Sequence, residues 1–314
     1  MKRYTTHGTD RSRAERKQRT ERKQRFDLAR TLADLRRLPE SAGLAIRGCY
    51  AMGDIALDPR SARSLARIGA PEAAVTALEK HPGHRGVAVA GFGAVAHLAL
   101  DPATRRRLGD LSACEAVAEA LRLQGPSLPG GVGFMAVANL ALLSANRDRL
   151  GKAGACEAVA AALQEAPDPR GYVALGHLAC HHAPNFLRVC GTTAPEAALA
   201  ALSSGPRAAD ATAHYLSFVA NLAWHDAGAL GAMGACEAVT AVLKRNGTPG
   251  NAASARWCLA VSLLARNAAN AKKLRDLGVH DAVTRTIRRH GPLDQDVERW
   301  GFRASKRLEK AAQI

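Results

Sequence analysis

Histidine and cysteine are the side chains here that could hold a metal ion, and five of them cluster in one stretch. His177, Cys180, His181, His182 and Cys190 lie within 14 residues. His177 and His181 are one helical turn apart and could share a metal ion. Zinc, however, needs four converging ligands, and the sequence contains no CxxC pair. We therefore predict no metal site and no cofactor.

Three of the seven cysteines could instead do thiol chemistry. Cys114, Cys156 and Cys236 each stand near the start of a predicted helix, where the pKa of a thiol tends to fall. Pro71 and Pro195 take the same place in sister motifs, which favours packing over reactivity. The odd number and wide spread of the cysteines favour reduced thiols and an intracellular protein. No phosphate-binding loop, dinucleotide fingerprint or nucleophile elbow occurs, so we predict no enzymatic activity and no small-molecule substrate.

The helices that position these cysteines belong to a motif that recurs along the chain. Its clearest copies are LGDLSACEAVAEAL from Leu108, LGKAGACEAVAAAL from Leu150 and LGAMGACEAVTAVL from Leu230. Six copies align on an acidic residue at spacings of 39 to 44, namely Glu72, Glu115, Glu157, Glu196, Glu237 and Asp281. This period near 42 exceeds the roughly 33–34 residues of ankyrin and TPR repeats.

A second motif lies between the copies of the first. Its members are GFGAVAHLAL from Gly91, GFMAVANLAL from Gly133, GYVALGHLAC from Gly171 and YLSFVANLAW from Tyr215. Their apolar residues recur at three- and four-residue spacing, which predicts amphipathic helices. A short basic stretch precedes each copy of the first motif. Each unit is therefore predicted to contain three helices in order: a short one from the basic stretch, a medium one from the first motif and a long one from the second motif. A glycine ends the short helix, and the acidic residue opens the next one.

This helix order and the linking glycine resemble the armadillo-repeat family over residues 26–310. The resemblance implies an all-α fold, a right-handed α-solenoid of about seven three-helix repeats. Third helices are expected to end near 100, 142, 180, 224, 265 and 310, after a partial first unit over 26–38 and 44–57. Residues 1–25 would form a basic arm, disordered or an exposed helix, and 311–314 a tail. In the family, the third helices line a concave groove that binds extended protein segments.

Armadillo proteins bind the peptide backbone through a ladder of asparagines, because an amide offers both a donor and an acceptor. The equivalent row here is polar throughout and consists of Asp54, His97, Asn139, His177, Asn221, Ser262 and Lys306. The row either faces the groove or makes hydrogen bonds between adjacent repeats. The family's nuclear-import receptors also carry tryptophan four residues earlier. That position here holds Tyr50, Gly93, Met135, Val173, Ser217, Cys258 and Phe302, which argues against binding of basic localisation signals.

Seven residues before the ladder stands a second row without acidic members, Arg47, Ala90, Val132, Arg170, His214, Ala255 and Arg299. If both rows face the groove, its potential is neutral to positive and favours an acidic protein segment or a phosphate backbone. Ordinary solvation of exposed arginines is the alternative.

Positive charge is concentrated at the two ends of the chain. The formal net charge is +16; residues 1–25 hold ten Lys/Arg against three acids, and residues 256–314 hold thirteen against six. The basic arm contains Arg11, Arg13, Arg16, Lys17, Arg19, Arg22, Lys23 and Arg25. The arm could be a transit peptide, although Asp10, Glu15 and Glu21 are unusual in one.

From these features we expect a non-catalytic scaffold that binds proteins within a larger assembly, its basic ends contacting acidic surfaces. The alternative is an RNA-associated structural subunit of a ribonucleoprotein, such as an organellar ribosome, which binds the phosphate backbone through the arm. The sequence contains no run of about 18 apolar residues, so it predicts no membrane span. The cytoplasm is the expected location, with a mitochondrion or plastid as the alternative.

Overall fold

The computed structural model describes residues 27–125, 131–205, 209–246 and 251–311, and every regular element in these ranges is helical. The predicted basic arm (1–25) and residues 312–314 of the predicted tail lie outside the described residues. None of the described helices is both long and apolar enough to cross a bilayer.

The described helices repeat in the order short, medium, long. The partial first unit contains α1 (27–37) and α2 (Ala42–Ile55). The next three units are α3 (Pro59–Ala66), α4 (Ala70–Lys80), α5 (Arg85–Leu98); α6 (Pro102–Asp110), α7 (Ala113–Gln124), α8 (Val132–Leu140); and α9 (Ser144–Lys152), α10 (Ala155–Glu165), α11 (Pro169–Ala179). The last three are α12 (Ala183–Cys190), α13 (Ala194–Ser204), α14 (Ala209–His225); α15 (Ala227–Ala232), α16 (Ala235–Asn246), α17 (Asn251–Leu264); and α18 (Ala268–Asp276), α19 (Val279–His290), α20 (Gln295–Lys310), with a 3-10 turn at Gly291–Leu293.

Each third helix packs on the third helix of the next unit, from α2 through α5, α8, α11, α14 and α17 to α20. We call the surface formed by these seven helices the third-helix face. The third helices end within two residues of the predicted positions. The prediction of an all-α solenoid with armadillo-type three-helix repeats is therefore confirmed.

The turn between the first and second helix contains a left-handed residue in five of the six full units; the exception is the fifth unit, where Gly191 and Thr193 have φ of −76° and −81°. Gly69, Gly154, Gly234 and Gly278 supply the left-handed residue in four units, with φ between 76° and 91°. Glycine adopts this conformation at no steric cost, as the sequence pattern predicted. Ser112 takes the same role at φ 65° in the third unit, which shows that the turn geometry is kept even without glycine.

The core is continuous and consists mainly of alanine, leucine and valine. Alanine allows helix backbones to approach closely, and the few large aromatic side chains fill the remaining space. Phe92, Phe218 and Trp257 are fully buried, and the Trp257 indole N–H donates to the carbonyl of Val239 at 2.9 Å.

Buried asparagines on the first helices connect successive units. Asn146, Asn185 and Asn270 are at most 5% exposed. Each donates through Nδ2 to two carbonyls of the preceding unit, one on its first helix and one on its third helix. These bonds fix the first helix of each such unit against both the first and the third helix of the unit before it.

The acidic residue at the start of each second helix makes a further connection. Four of these carboxylates pair with a cation on the first helix of the next unit: Glu72 with Arg107, Glu115 with Arg149, Glu157 with Arg188, and Glu237 with Lys273. The same carboxylates lie in the first helical turn, as predicted, where they complement the helix dipole.

Candidate binding groove

Three residues of the predicted ladder make hydrogen bonds between repeats. Nδ1 of His97 lies 2.8 Å from the carbonyl oxygen of Gly53, and Nδ1 of His177 lies 3.1 Å from that of Ala138. Nδ2 of Asn139 donates to the carbonyl of Ala96 at 2.8 Å. Each acceptor stands one residue before the ladder position of the preceding unit. These side chains remain half-buried, so they connect repeats while one surface still faces solvent.

A cavity of about 540 Å³ opens at the middle of the third-helix face. We call it the central groove cavity. Three predicted groove residues, His177, His214 and Asn221, meet in it. Seven further residues complete its lining: Leu142, Val173, Cys180, Ala213, Ser217, Arg256 and Leu259. The apolar wall of the cavity and Arg256, the cation among its lining residues, were not among the predicted groove residues.

The assignment of Ser262 to the groove was wrong. Ser262 is fully buried, as is Cys258, and α17 presents Arg256 and Leu259 to the cavity instead. The correct alignment of α17 is one residue later than predicted, so Arg256 replaces Ala255 in the second row. The error arose because WCLAVSLLAR is apolar on nearly every side, and its single hydroxyl was mistaken for the ladder residue.

The remaining predicted residues lie towards the two ends of the third-helix face and do not line the central groove cavity. Asp54, Arg47 and Lys306 are exposed. Arg299 is also exposed, and its guanidinium lies 5.1 Å from the ring centroid of Trp300. An exposed aromatic residue lies on the helix at each end. Tyr50 on α2 is 50% exposed, and Phe302 on α20 is 58% exposed.

One predicted cation of the second row is neutralised locally. Arg170 forms a two-pronged ion pair with Asp168, with the shorter contact at 2.6 Å. Burial would raise the pKa of Asp168, but hydrogen bonds from the Arg170 side chain and backbone outweigh it and lower that pKa. The positive charge of the cavity therefore comes chiefly from Arg256, which is exposed.

His177 is a neutral donor rather than a cation. Burial lowers its pKa, and the positive charges of Arg147 and Arg256 lower it further, against the opposing hydrogen bond to Ala138. Arg147 lies at the edge of the cavity and donates to the carbonyl of Cys180. The two guanidinium groups give the cavity donors and a net positive potential, while the neutral His177, whose Nδ1–H donates to the carbonyl of Ala138, leaves Nε2 as an acceptor.

The thiols have no nucleophilic character in this environment. Burial raises the pKa of Cys114 and of Cys156 to about 12 and that of Cys236 to about 11. The packing interpretation of these residues thus outweighs the tendency of helix N-termini to lower a thiol pKa. Within the described ranges, no three His, Cys, Asp or Glu side chains lie close enough together to hold a metal ion.

Neither a protein-family model nor a curated protein sequence matches the chain. Several solved structures share its fold. An engineered protein, target OR497 of the Northeast Structural Genomics Consortium, aligns over 90% of this chain and 77% of its own, with a TM-score of 0.55 and 15% identity. Another engineered protein, target OR329, aligns over 91% and 97%, with a TM-score of 0.50 and 15% identity.

A designed armadillo repeat protein also aligns, over 90% of this chain and 98% of its own, at 14% identity and a TM-score of 0.48. At such low identity these likenesses bear on the fold alone. The two engineered proteins with TM-scores of 0.50 and 0.55, together with the short, medium and long helices of each unit, identify the chain as an α-solenoid with the armadillo-type order of helices.

Proposed function

We propose that the protein is a non-catalytic scaffold whose third-helix face binds an extended, acidic segment of a partner protein. The single observation that carries this proposal is the central groove cavity. It is lined by the third helices of successive repeats, and none of its ten lining residues is a carboxylate.

The lining offers what an extended peptide needs. Asn221 supplies an amide donor and acceptor, Ser217 a hydroxyl, and His177 and His214 imidazole groups. Leu142 is 48% exposed and gives an apolar surface for a side chain.

The charge of the cavity selects an acidic segment. Arg256 stands on its wall and Arg147 at its edge, while the nearby Asp168 is already paired with Arg170. A basic peptide would bring further positive charge towards these guanidinium groups, and such like-charge contacts oppose binding.

Selection from a displayed library of random peptides tests this proposal. The wild-type chain is expected to enrich extended peptides rich in Asp and Glu, and the double variant Asn221→Ala, Arg256→Ala should lose that enrichment. Arg288→Ala on α19 is the matched control, because Arg288 is exposed away from the cavity. Enrichment of basic peptides, or equal enrichment by all three proteins, would contradict the proposal.

The charge of residues 1–25 favours the second candidate, a structural subunit that binds an RNA backbone through its basic arm. Contacts to phosphates release counterions, so the affinity of such a protein falls steeply with the logarithm of salt concentration. Deleting residues 1–25 should then abolish RNA binding. If the full chain fails to bind RNA at about 50 mM salt, this candidate is excluded.

A further inference from the structure

A second cavity, of about 400 Å³, lies at the C-terminal end of the rod. Three of its seven lining residues are cations, Arg266, Arg307 and Lys310, and the other four are alanines. We call it the C-terminal basic pocket. It shares no residue with the central groove cavity.

Two of the three cations are held in place by the protein. Nη1 of Arg307 donates to the carbonyl and the hydroxyl oxygens of Ser262. Nη1 of Arg266 donates to the carbonyl of Trp224 at 3.0 Å, and its guanidinium lies 5.3 Å from the centroid of that indole ring. A guanidinium carries five N–H donors, so both arginines keep donors for a ligand.

No carboxylate in the described part of the chain neutralises the positive charge of the pocket. No described carboxylate forms an ion pair with Arg266, Arg307 or Lys310. Glu309, the neighbouring carboxylate on α20, is engaged elsewhere, because it accepts from Ser305 at 3.0 Å and lies 3.4 Å from Nε2 of His280. Burial lowers the pKa of Arg307, and repulsion from Arg266 and Arg303 lowers it further.

We infer that the C-terminal basic pocket binds a phosphate group carried by a phosphorylated side chain of a protein segment. A carboxylate carries one negative charge, whereas a phosphorylated side chain carries nearly two and three acceptor oxygens. Two ordered guanidinium groups and an ammonium match such an anion, since arginine binds phosphate through two parallel N–H donors.

The position of Arg266 favours a protein segment as the carrier. Arg266, in the turn that follows α17, corresponds to Trp224 in the last turn of α14, at the edge of the third-helix face. A segment that follows this face towards the C-terminal end would therefore arrive at the pocket. The identity of the carrier, but not the phosphate site itself, rests on the proposed function.

Calorimetric titration with pyrophosphate tests the site directly, at about 100 mM NaCl, where long-range surface attraction is screened. The double variant Arg266→Gln, Lys310→Gln should bind at least about tenfold more weakly than wild type. Arg285→Gln, Arg288→Gln removes the same charge from exposed positions on α19 and should bind as wild type does. Absence of wild-type binding, or an equal loss in both double variants, would overturn the proposal.

Two further variants make the result independent of folding and of the central groove cavity. Lys310→Gln alone changes an exposed side chain in the last helical turn and should weaken pyrophosphate binding by about threefold. Arg256→Gln alters the central groove cavity only and should leave pyrophosphate binding unchanged. Failure of the pocket and failure of the proposed function are thereby distinguishable.

Competition against bound pyrophosphate identifies the carrier. A pentapeptide containing phosphoserine between Gly and Ala residues should displace it, and the unphosphorylated peptide should not. Displacement by decauridylate but not by the phosphopeptide would overturn the assignment to a protein segment and favour RNA.

Discussion

Asn185 occupies the space that a side chain on Gly151 would need. A Cβ atom on Gly151 would overlap Oδ1 of Asn185, whose Nδ2 donates to the carbonyls of Arg147 at 2.8 Å and Leu178 at 3.1 Å. The same relationship joins Gly109 to Asn146 and Gly231 to Asn270. Where the third unit has the buried Thr104 in place of asparagine, the second unit has Ala66 in place of glycine. The glycine and the asparagine therefore form one connection between units.

Gly151→Ala is expected to lower the free energy of unfolding by about 1–3 kcal/mol, the usual cost of overpacking a filled interior. The added methyl group forces Asn185 away from the carbonyls of Arg147 and Leu178. Urea denaturation followed by circular dichroism measures the change. A stabilised variant would show that the general helix preference for alanine over glycine outweighs the overlap.

Adding Asn185→Thr to Gly151→Ala should recover part of the lost stability, because the double variant recreates the alanine and threonine of positions 66 and 104. A double-mutant cycle should give a coupling free energy of about 1 kcal/mol or more between the two sites. Additive effects would mean that the two residues act independently.

The connection between the fifth and sixth units lacks an ion pair. Glu196 is exposed, and the position that holds Arg107, Arg149, Arg188 or Lys273 in other units is Ala229 here. Ala229→Arg is expected to raise the free energy of unfolding by about 0.2–1 kcal/mol, the range for exposed ion pairs. Ala229→Glu, the control of opposite charge, should lower it. Equal values for both variants, measured by urea denaturation at low salt, would contradict this account.

The period, the helix order and the helix ends were predictable because leucine, glycine and glutamate recur at fixed places in each unit. The Gly151 and Asn185 connection was missed, since it appears only when two consecutive units are compared position by position. The joint change to Ala66 and Thr104 in the second and third units was the signal that could have revealed it. The place of Arg256 in the groove was missed for another reason. In α17, where Ser262 is the single polar residue from Trp257 to Leu264, the sequence pattern does not determine which side faces solvent.

Acid should weaken the start of α6 through Asp101. This fully buried carboxylate accepts from the backbone N–H of Thr104 at 2.9 Å and from Nη2 of Arg63 at 2.7 Å. Burial would raise the pKa of Asp101, but these hydrogen bonds outweigh burial and lower it. Its contribution to stability is therefore complete above the unfolded-state pKa of about 3.9 and is lost as the pH falls through the lower folded-state pKa.

Asp101→Asn should accordingly cost about 1–3 kcal/mol at pH 7, because it removes charge-assisted hydrogen bonds to a buried group. The difference from wild type should shrink as the pH is lowered below about 4. Urea denaturation over this pH range measures it, and a constant difference at every pH would contradict the assigned role.

Thiol labelling tests the packing interpretation of the cysteines. Cys49, Cys114, Cys156, Cys236 and Cys258 are buried, while Cys180 and Cys190 are partly exposed. In the native protein at about pH 8, a thiol reagent should modify at most Cys180 and Cys190, because burial keeps the others protonated. All seven should react in urea. Rapid native labelling of Cys114, Cys156 or Cys236 would indicate activated thiols instead.

The central claim, that the groove between the third helices binds an acidic segment, depends most directly on Arg256. The decisive measurement is the fluorescence anisotropy of an acidic peptide obtained from the displayed library, titrated with wild type, Arg256→Gln and the exposed control Arg288→Gln. We expect Arg256→Gln to weaken binding by about tenfold or more, as loss of a charged contact to a bound carboxylate should, and Arg288→Gln to leave it unchanged. Equal affinity of all three proteins for the peptide would contradict the account.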